Sequence, residues 1–423
     1  VSAAPVRNWA GNHGYRFGAF AEPTSLAELQ EVVSQAERVR VLGTGHSFNA
    51  LPDTTGTLVS LRRMPDAVRV DPQRAVAAVG GGVPYARVVT ELHRRGWALP
   101  TTGSLPHISV AGAVATGTHG SGVGHQVLAG PVSAITTVLG DGSLHTARRG
   151  EPGFEGHVVA LGATGVVVDL ELDLVPTYDV VQQLHPGLTW RDLLADPAAV
   201  LALGSSVSVF TLWSGADDEP VGEVLVKQRT DADPATTPGR ERLLTRLGDP
   251  RPPEAPSSVL GDGDNLTPRG SAGPWHTRMP HFRHDREPSW GDEQQSEWFV
   301  PLERAAEAVA AVRSVADVLA PALIAGELRS IGADDIWLSM VHGRDSLALH
   351  FTWRNDDALV GEAVRAVEAA LAAYDARPHW GKVAGPVDVD RLYPQAADFR
   401  RLRRSLDPAG VFLNDHLERL GLA

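Results

Sequence analysis

Glu327 and Arg329 stand two residues apart, as do His350 and Thr352, and a short segment further on reads His379-Trp380-Gly381-Lys382. In a β-strand, a spacing of two puts both side chains on one face. Two neighbouring strands would therefore present Glu, Arg, His and Thr together, with Phe351 and Trp353 turned to the opposite face. One acid, two cations and an imidazole can bind and polarise a polyhydroxylated molecule, and a lysine or histidine tuned toward neutrality can take a hydroxyl proton. A solvated sheet face with an ordinary salt bridge has the same spacing. Lys382 is what tilts the balance: of the 38 Lys and Arg residues only Lys227 and Lys382 are lysines. In a chain that otherwise uses arginine, a surviving lysine marks a position where a fixed guanidinium cannot do the work.

A second constellation lies near the start. Val39-Arg-Val-Leu42 is an apolar strand that enters Gly43-Thr-Gly45-His46-Ser47. Glycines at 43 and 45 let backbone N–H groups converge on an anion. The loop departs from the dinucleotide fingerprint, since Phe48 stands where the last glycine of G-x-G-x-x-G belongs. The stretch from Thr101 to Gly122 is rich in Gly, Ser, Thr and Ala. Its Gly120-Ser-Gly122 is no nucleophile elbow, which needs serine at the centre of five residues. His281 and His284 are three apart without an accompanying acid–histidine motif, so a structural role beside Trp275-His276 is preferred to a metal site.

The elements that must hold these residues follow from periodicity. Ser25-Leu-Ala-Glu28 has the form of a capping box, and apolar spacing predicts a helix from Leu26 toward Arg38. Strands are expected at 39–42, 75–79 and 166–174, a helix from Pro84 to Gly96, and a hairpin at 132–147 around Gly140-Asp-Gly142. Residues 231–274 carry eight prolines and read as a surface excursion. Helical patterns at 302–319 and 359–374 bracket strands near 323–330, 336–341 and 346–353, the order of an antiparallel sheet covered by helices. A two-domain α+β architecture is expected: 1–176, 177–375, and a segment 376–423 that returns to the first unit.

Composition excludes several functions. Without cysteine the chain has no disulfide, thiolate nucleophile or zinc–thiolate site. A formal charge of −13 with no long basic run disfavours nucleic acid and anionic membranes. No apolar run is long enough to span a bilayer and no basic-then-apolar segment opens at Val1. A reducing cytoplasmic location fits the absence of cysteine, and a monomer is expected.

Taken in order, the loop at 41–47, the Ser104–Gly120 segment, Gly326-Glu-Leu-Arg329, His350-Phe-Thr-Trp353 and His379-Trp-Gly-Lys382 resemble the vanillyl-alcohol-oxidase flavoprotein superfamily and, within it, the sugar-alcohol and aldonolactone branch. The resemblance implies FAD as cofactor, bonded covalently through His46. It implies a cofactor site formed by Val41, Leu42, Gly43, Thr44, Gly45, Ser47, Gly103, Ser104, Ser109, Gly112, Ala113, Val114, Ala115, Thr116, Gly117, His119, Gly120, Gly165, Val166 and His379. Ser104, Glu327, Arg329, Thr352 and Lys382 match substrate-contacting positions, and Lys382, His350, Glu327 and Arg329 become the catalytic candidates. The implied reaction is oxidation of the terminal alcohol of an alditol such as xylitol or sorbitol, with O2 as acceptor and no metal. An aldonolactone oxidase or dehydrogenase is the nearest alternative; a non-redox sugar-binding protein and a metal-dependent hydrolase are remote ones. Gly103, next to Ser104, is expected to leave room for O2 near the flavin.

Overall fold

The computed structural model describes residues 6–232, 239–261 and 263–423. The strand Val39–Leu42 pairs in parallel with Thr57–Ser60, which pairs in turn with Ala19–Ala21. The helix Leu26–Gln35 starts where Ser25 Oγ accepts the Glu28 N–H. Glu28 returns its carboxylate to the Thr24 N–H, one residue earlier than a full capping box requires. This helix buries Leu29 and Val33 against Val39, Val59 and Phe412. The chain's last segment is thereby part of the first core, and Val39 N donates to Val411 O at 2.8 Å.

A second, antiparallel sheet runs in the order Val68–Asp71, Val76–Gly80, Val166–Asp173, Val132–Val138, Leu144–Arg148. The expected hairpin is its edge pair, with Val138 opposite Leu144. The helix Tyr85–Arg94 packs Val88, Val89 and Leu92 into the adjoining core.

The third sheet positions most of the chemistry. Among the described residues it has eight strands in the order Gly273–Pro274, Asp179–His185, Gly222–Arg229, Ser206–Thr211, Leu323–Ile331, Ser346–Trp353, Gln294–Pro301, Arg377–Pro378. Its register puts His350 directly opposite Glu327 on one neighbour and Glu297 on the other. The opposite face is apolar: Trp213, Trp298, Leu328, Phe351 and Trp353 pack under the helices Ala305–Arg313 and Asp357–Leu371. Phe351 lies 5.0 Å from the Trp353 ring and 5.5 Å from that of Trp213, stacked on both. Each such buried side chain contributes roughly 1.5–3 kcal/mol, so the strands cannot slip by one residue without moving this face into the polar side.

Three expectations need correction. Residues 336–341 form no strand; Asp334 accepts from the Ile336 N–H (3.1 Å) and the Ser339 hydroxyl (2.6 Å), which curls the segment into a turn that buries Ile336, Leu338, Met340 and Val341. The 302–319 pattern breaks into a 3-10 turn and two helices. The proline-rich excursion contains the helix Arg240–Leu247, while 233–238 and 262 lie outside the described residues. Among the described residues no helix is long and apolar enough to cross a membrane.

Candidate active site

Two glycine-rich loops meet at the end of the strand Val39–Leu42. A Cβ on Gly43 would stand 2.7 Å from Ser109 Oγ and push that hydroxyl aside, and Gly45 has φ +77°, which favours glycine. The cleft between them is lined by Val41, Leu42, Gly43, Thr44, Gly45, His46, Ser47, Ser109, Gly112, Ala113, Ala115, Thr116 and Gly165. Val114 and Val166 instead belong to the core behind it. Gly117 abuts Met340, and Gly120 abuts the Thr101 hydroxyl. Gly103 is also set back: its missing Cβ would meet Thr118 Cγ2, His119 O and Leu128 Cδ1 at 3.6–3.7 Å.

His46 lies at the inner end of the cleft. Its ring stacks on Trp9 with centroids 5.3 Å apart, and Nδ1 is 3.1 Å from Thr44 Oγ1. Nε2 is buried and has no protein partner. Burial, with His107 nearby, holds its pKa down at about 4, so the imidazole is neutral.

His46, Ile108, Thr116 and Thr118 also line a second cavity, which continues from the first. Its walls carry Ser104, His119, Glu327, Arg329, His350, Thr352, His379 and Lys382, so sequence candidates far apart in the chain converge here. Glu327, Arg329, His350 and Thr352 are buried, which sets aside the solvated-face reading. Lys382 Nζ donates to Glu297 Oε2 and to His350 Nδ1, both at 2.8 Å, and His350 Nε2 is 3.2 Å from Thr352 Oγ1. Arg329 Nη2 donates to Glu297 Oε1 at 2.6 Å, and Nη1 reaches Ser104 Oγ at 3.3 Å. His119 donates from Nδ1 to Gly120 O at 2.8 Å and sets Nε2 3.2 Å from Glu297 Oε2.

Glu297 is the hub of this network, and its role was not apparent from spacing. Burial by itself would raise its pKa, but Lys382, His119 and Arg329 overcome that and hold it well below the usual carboxylate range. Glu327 is likewise held low against burial by Arg329 and His281. Burial, then the Lys382 charge, lowers His350 to about 4. Lys382 itself is lowered by burial, opposed by Glu297. A signal for Glu297 did exist: it precedes Trp298-Phe-Val300, an acid entering an apolar run. His281 also corrects its expected place, for it lines this cavity and meets Glu327 Oε1 at 2.8 Å.

Two matched families and a close relative frame this geometry. Residues 17–148 match the family described as FAD binding domain, and residues 292–420 match D-arabinono-1,4-lactone oxidase. Alditol oxidase of a Streptomyces species is 43% identical over 98% of both chains. The chain belongs to the vanillyl-alcohol-oxidase family of FAD flavoproteins. It is an FAD-dependent oxidoreductase, in the family's alditol and aldonolactone oxidase branch. L-gulono-1,4-lactone dehydrogenase of Mycobacterium tuberculosis is 28% identical over 98% of both chains. Cholesterol oxidase of B. sterolicum shares the fold at a TM-score of 0.76 and 14% identity, with 98% of this chain and 96% of that one covered.

The residues of the first cleft fit FAD. Arg40, which also lines it, is fully buried and donates to the carbonyls of Leu51, Leu161, Gly162 and Phe412. Those partners are all neutral, so a buried cation lies under the cleft without a carboxylate among them, the charge a diphosphate would complement. The glycine loops leave room for close backbone approach, and His46, whose buried Nε2 has no partner, lines the same space.

Proposed function

We propose that this flavoprotein oxidises the terminal primary alcohol of alditols such as xylitol and sorbitol to the aldose, with O2 as acceptor and H2O2 as second product, and that its FAD is covalently linked through His46. The observation that carries this reading is the Lys382 environment. With one N–H on Glu297 and one on His350 Nδ1, the amine keeps a single tetrahedral position for a hydroxyl in the cavity it lines. Neutral Lys382 offers a lone pair there and takes the hydroxyl proton as C1 gives up its hydride. His350, held neutral, orients the amine rather than competing for the proton. Glu327, Arg329, Ser104 and Thr352 supply acceptors and donors in the mixture that a chain of neutral hydroxyls needs. FAD, when bound, supplies the hydride acceptor and the electron route to O2. The name of the Streptomyces relative supports the same substrate class.

The unlinked buried Nε2 of His46 supports attachment at that atom. We read residues 1–176 as the FAD-binding unit, 177–375 as the substrate unit and 376–423 as the returning segment; the Val39–Val411 hydrogen bond supports the return. A lactone-oxidising enzyme is the second reading, favoured by the match of 292–420 to D-arabinono-1,4-lactone oxidase.

Two measurements test these readings. Acid precipitation of the purified protein should give a yellow, fluorescent pellet; flavin left in the supernatant removes the covalent link. Steady-state rates should favour xylitol and sorbitol over galactono- and gulono-lactones, and the reverse order replaces the alditol assignment with the lactone one.

A further inference from the structure

Lys382 lines the cavity and Lys227, the other lysine of this arginine-rich chain, lies one layer behind it, yet each donates to the Nδ1 of a histidine. Lys382 does so to His350 at 2.8 Å, and Lys227 to His281 at 3.2 Å. Lys227 belongs to the strand Gly222–Arg229 and is 1% exposed. Its Nζ also donates to the carbonyls of Arg278 (2.9 Å), Met279 (2.6 Å) and Pro280 (3.1 Å). Three carbonyl acceptors favour an N–H donor state of this nitrogen. His281 Nδ1 is then an acceptor, and the ring proton is confined to Nε2. That nitrogen lies 2.8 Å from Glu327 Oε1 and 3.4 Å from Ser208 Oγ. The other Glu327 oxygen stands 3.6 Å from Arg329 Nε. The same segment grips the opposite wall, because the His281 and Phe282 N–H groups both donate to Ser104 O at 3.2 Å.

We propose that Lys227 is a positioning residue for substrate binding: it anchors His281 through Nδ1, so that the ring's Nε2–H clamps one Glu327 oxygen and leaves the other for a substrate hydroxyl. Arginine cannot replace it, because a planar guanidinium does not gather three N–H groups on one nitrogen to be shared among successive carbonyls and a ring nitrogen. The inference rests on the proposed alditol site. It concerns the half of the cavity away from Lys382, so its signature is binding rather than turnover.

The groups that face His281 are Lys227 from one strand, Glu327 and Arg329 from another, and His350 beyond Glu327. Burial brings Lys227 down to about 7. In Lys227→Met the donor at Nδ1 and the tether to the 278–280 carbonyls are gone. The Glu327 carboxylate still calls for Nε2–H, but the ring has lost its second anchor. KM in the variant should therefore rise.

The test is steady-state kinetics of the flavin-loaded enzyme on sorbitol between pH 6 and about 9, with flavin content and thermal midpoint recorded. For Lys227→Met we expect KM about tenfold higher with kcat within about threefold. A purely structural lysine would lower the thermal midpoint and leave KM unchanged, which overturns the proposal. If Lys227→Met does not fold, His281→Leu decides, since it keeps Lys227 and its carbonyls: the same rise in KM, partly restored by His281→Gln, supports the clamp, and an unchanged KM overturns it. Wild type without turnover on alditols sinks the functional reading and this inference together; wild-type turnover with unmoved variants sinks the inference alone.

Discussion

The two cavities meet at His46 and Thr116 yet are built from opposite materials. The first cleft is made of backbone: glycine loops, small side chains, and a single buried Arg40 that faces only carbonyls. The second cavity is rich in charged side chains, many of them carried on three adjacent strands, with His350 registered between Glu297 and Glu327. A backbone site is sensitive to added volume and indifferent to pH. A side-chain site depends on strand register and on which groups hold protons, since each pair there is buried and each loss leaves a charge unmatched.

The largest expected effect breaks the charged side of that contrast. Lys382→Met should lower kcat/KM by about a thousandfold, within the range of lost general base catalysis, while flavin content stays near wild type. The base acts unprotonated, so wild-type kcat/KM should climb as pH rises through the Lys382 pKa, which burial sets below the ordinary lysine value. In the variant that ascending limb should vanish. An unchanged limb would assign the proton to another group, with His350 next in line through its 2.8 Å contact.

Gly43→Val should break the backbone side. Its Cβ alone would press on Ser109 Oγ at 2.7 Å, and the branched methyls add volume to the cleft wall. The ratio of flavin to protein absorbance should fall about tenfold, with kcat per bound flavin and its pH profile kept. A loss of rate per flavin, with content intact, would mean that the two sites are not separable.

The same contrast explains what could be read without coordinates. One wall of the cleft is a short run of sequence, so Gly43, Gly45 and His46 announce it together, and the helix and hairpins around it follow local rules of capping and alternation. In the sheet, the two-residue spacing placed Glu327 with Arg329 and His350 with Thr352 on common faces, as found. Glu297 and His281 escaped because the local marks on them are faint: an acid entering an apolar run for the one, a histidine in a long connection for the other. The strand Gln294–Pro301 mixes amides, an acid and aromatics while being buried nearly throughout, so period-two alternation is weak. His281 lies in a connection whose position depends on Lys227, 54 residues away. Residues 336–341 misled for a related reason: apolar run and burial were both present, but an aspartate turn satisfied the backbone in place of a strand partner.

The smallest effect is expected at the seam. Gly103 precedes Ser104, and a steric reading of the sequence makes it the opening for O2. Its absent Cβ, however, would be directed at Thr118 Cγ2, His119 O and Leu128 Cδ1 at ordinary contact distances, one layer behind the surface that Thr118 and His119 present to the cavity. Gly103→Ala should therefore change the O2 reoxidation rate by less than about twofold in stopped-flow traces. Valine adds methyls that must displace Thr118 or His119, and His119 is 3.2 Å from the Glu297 hub. Its cost should fall on anaerobic reduction by the alditol, through the charged network, rather than on reoxidation. A tenfold slower reoxidation in the alanine variant would return Gly103 to the O2 path and assign the seam to the cofactor side.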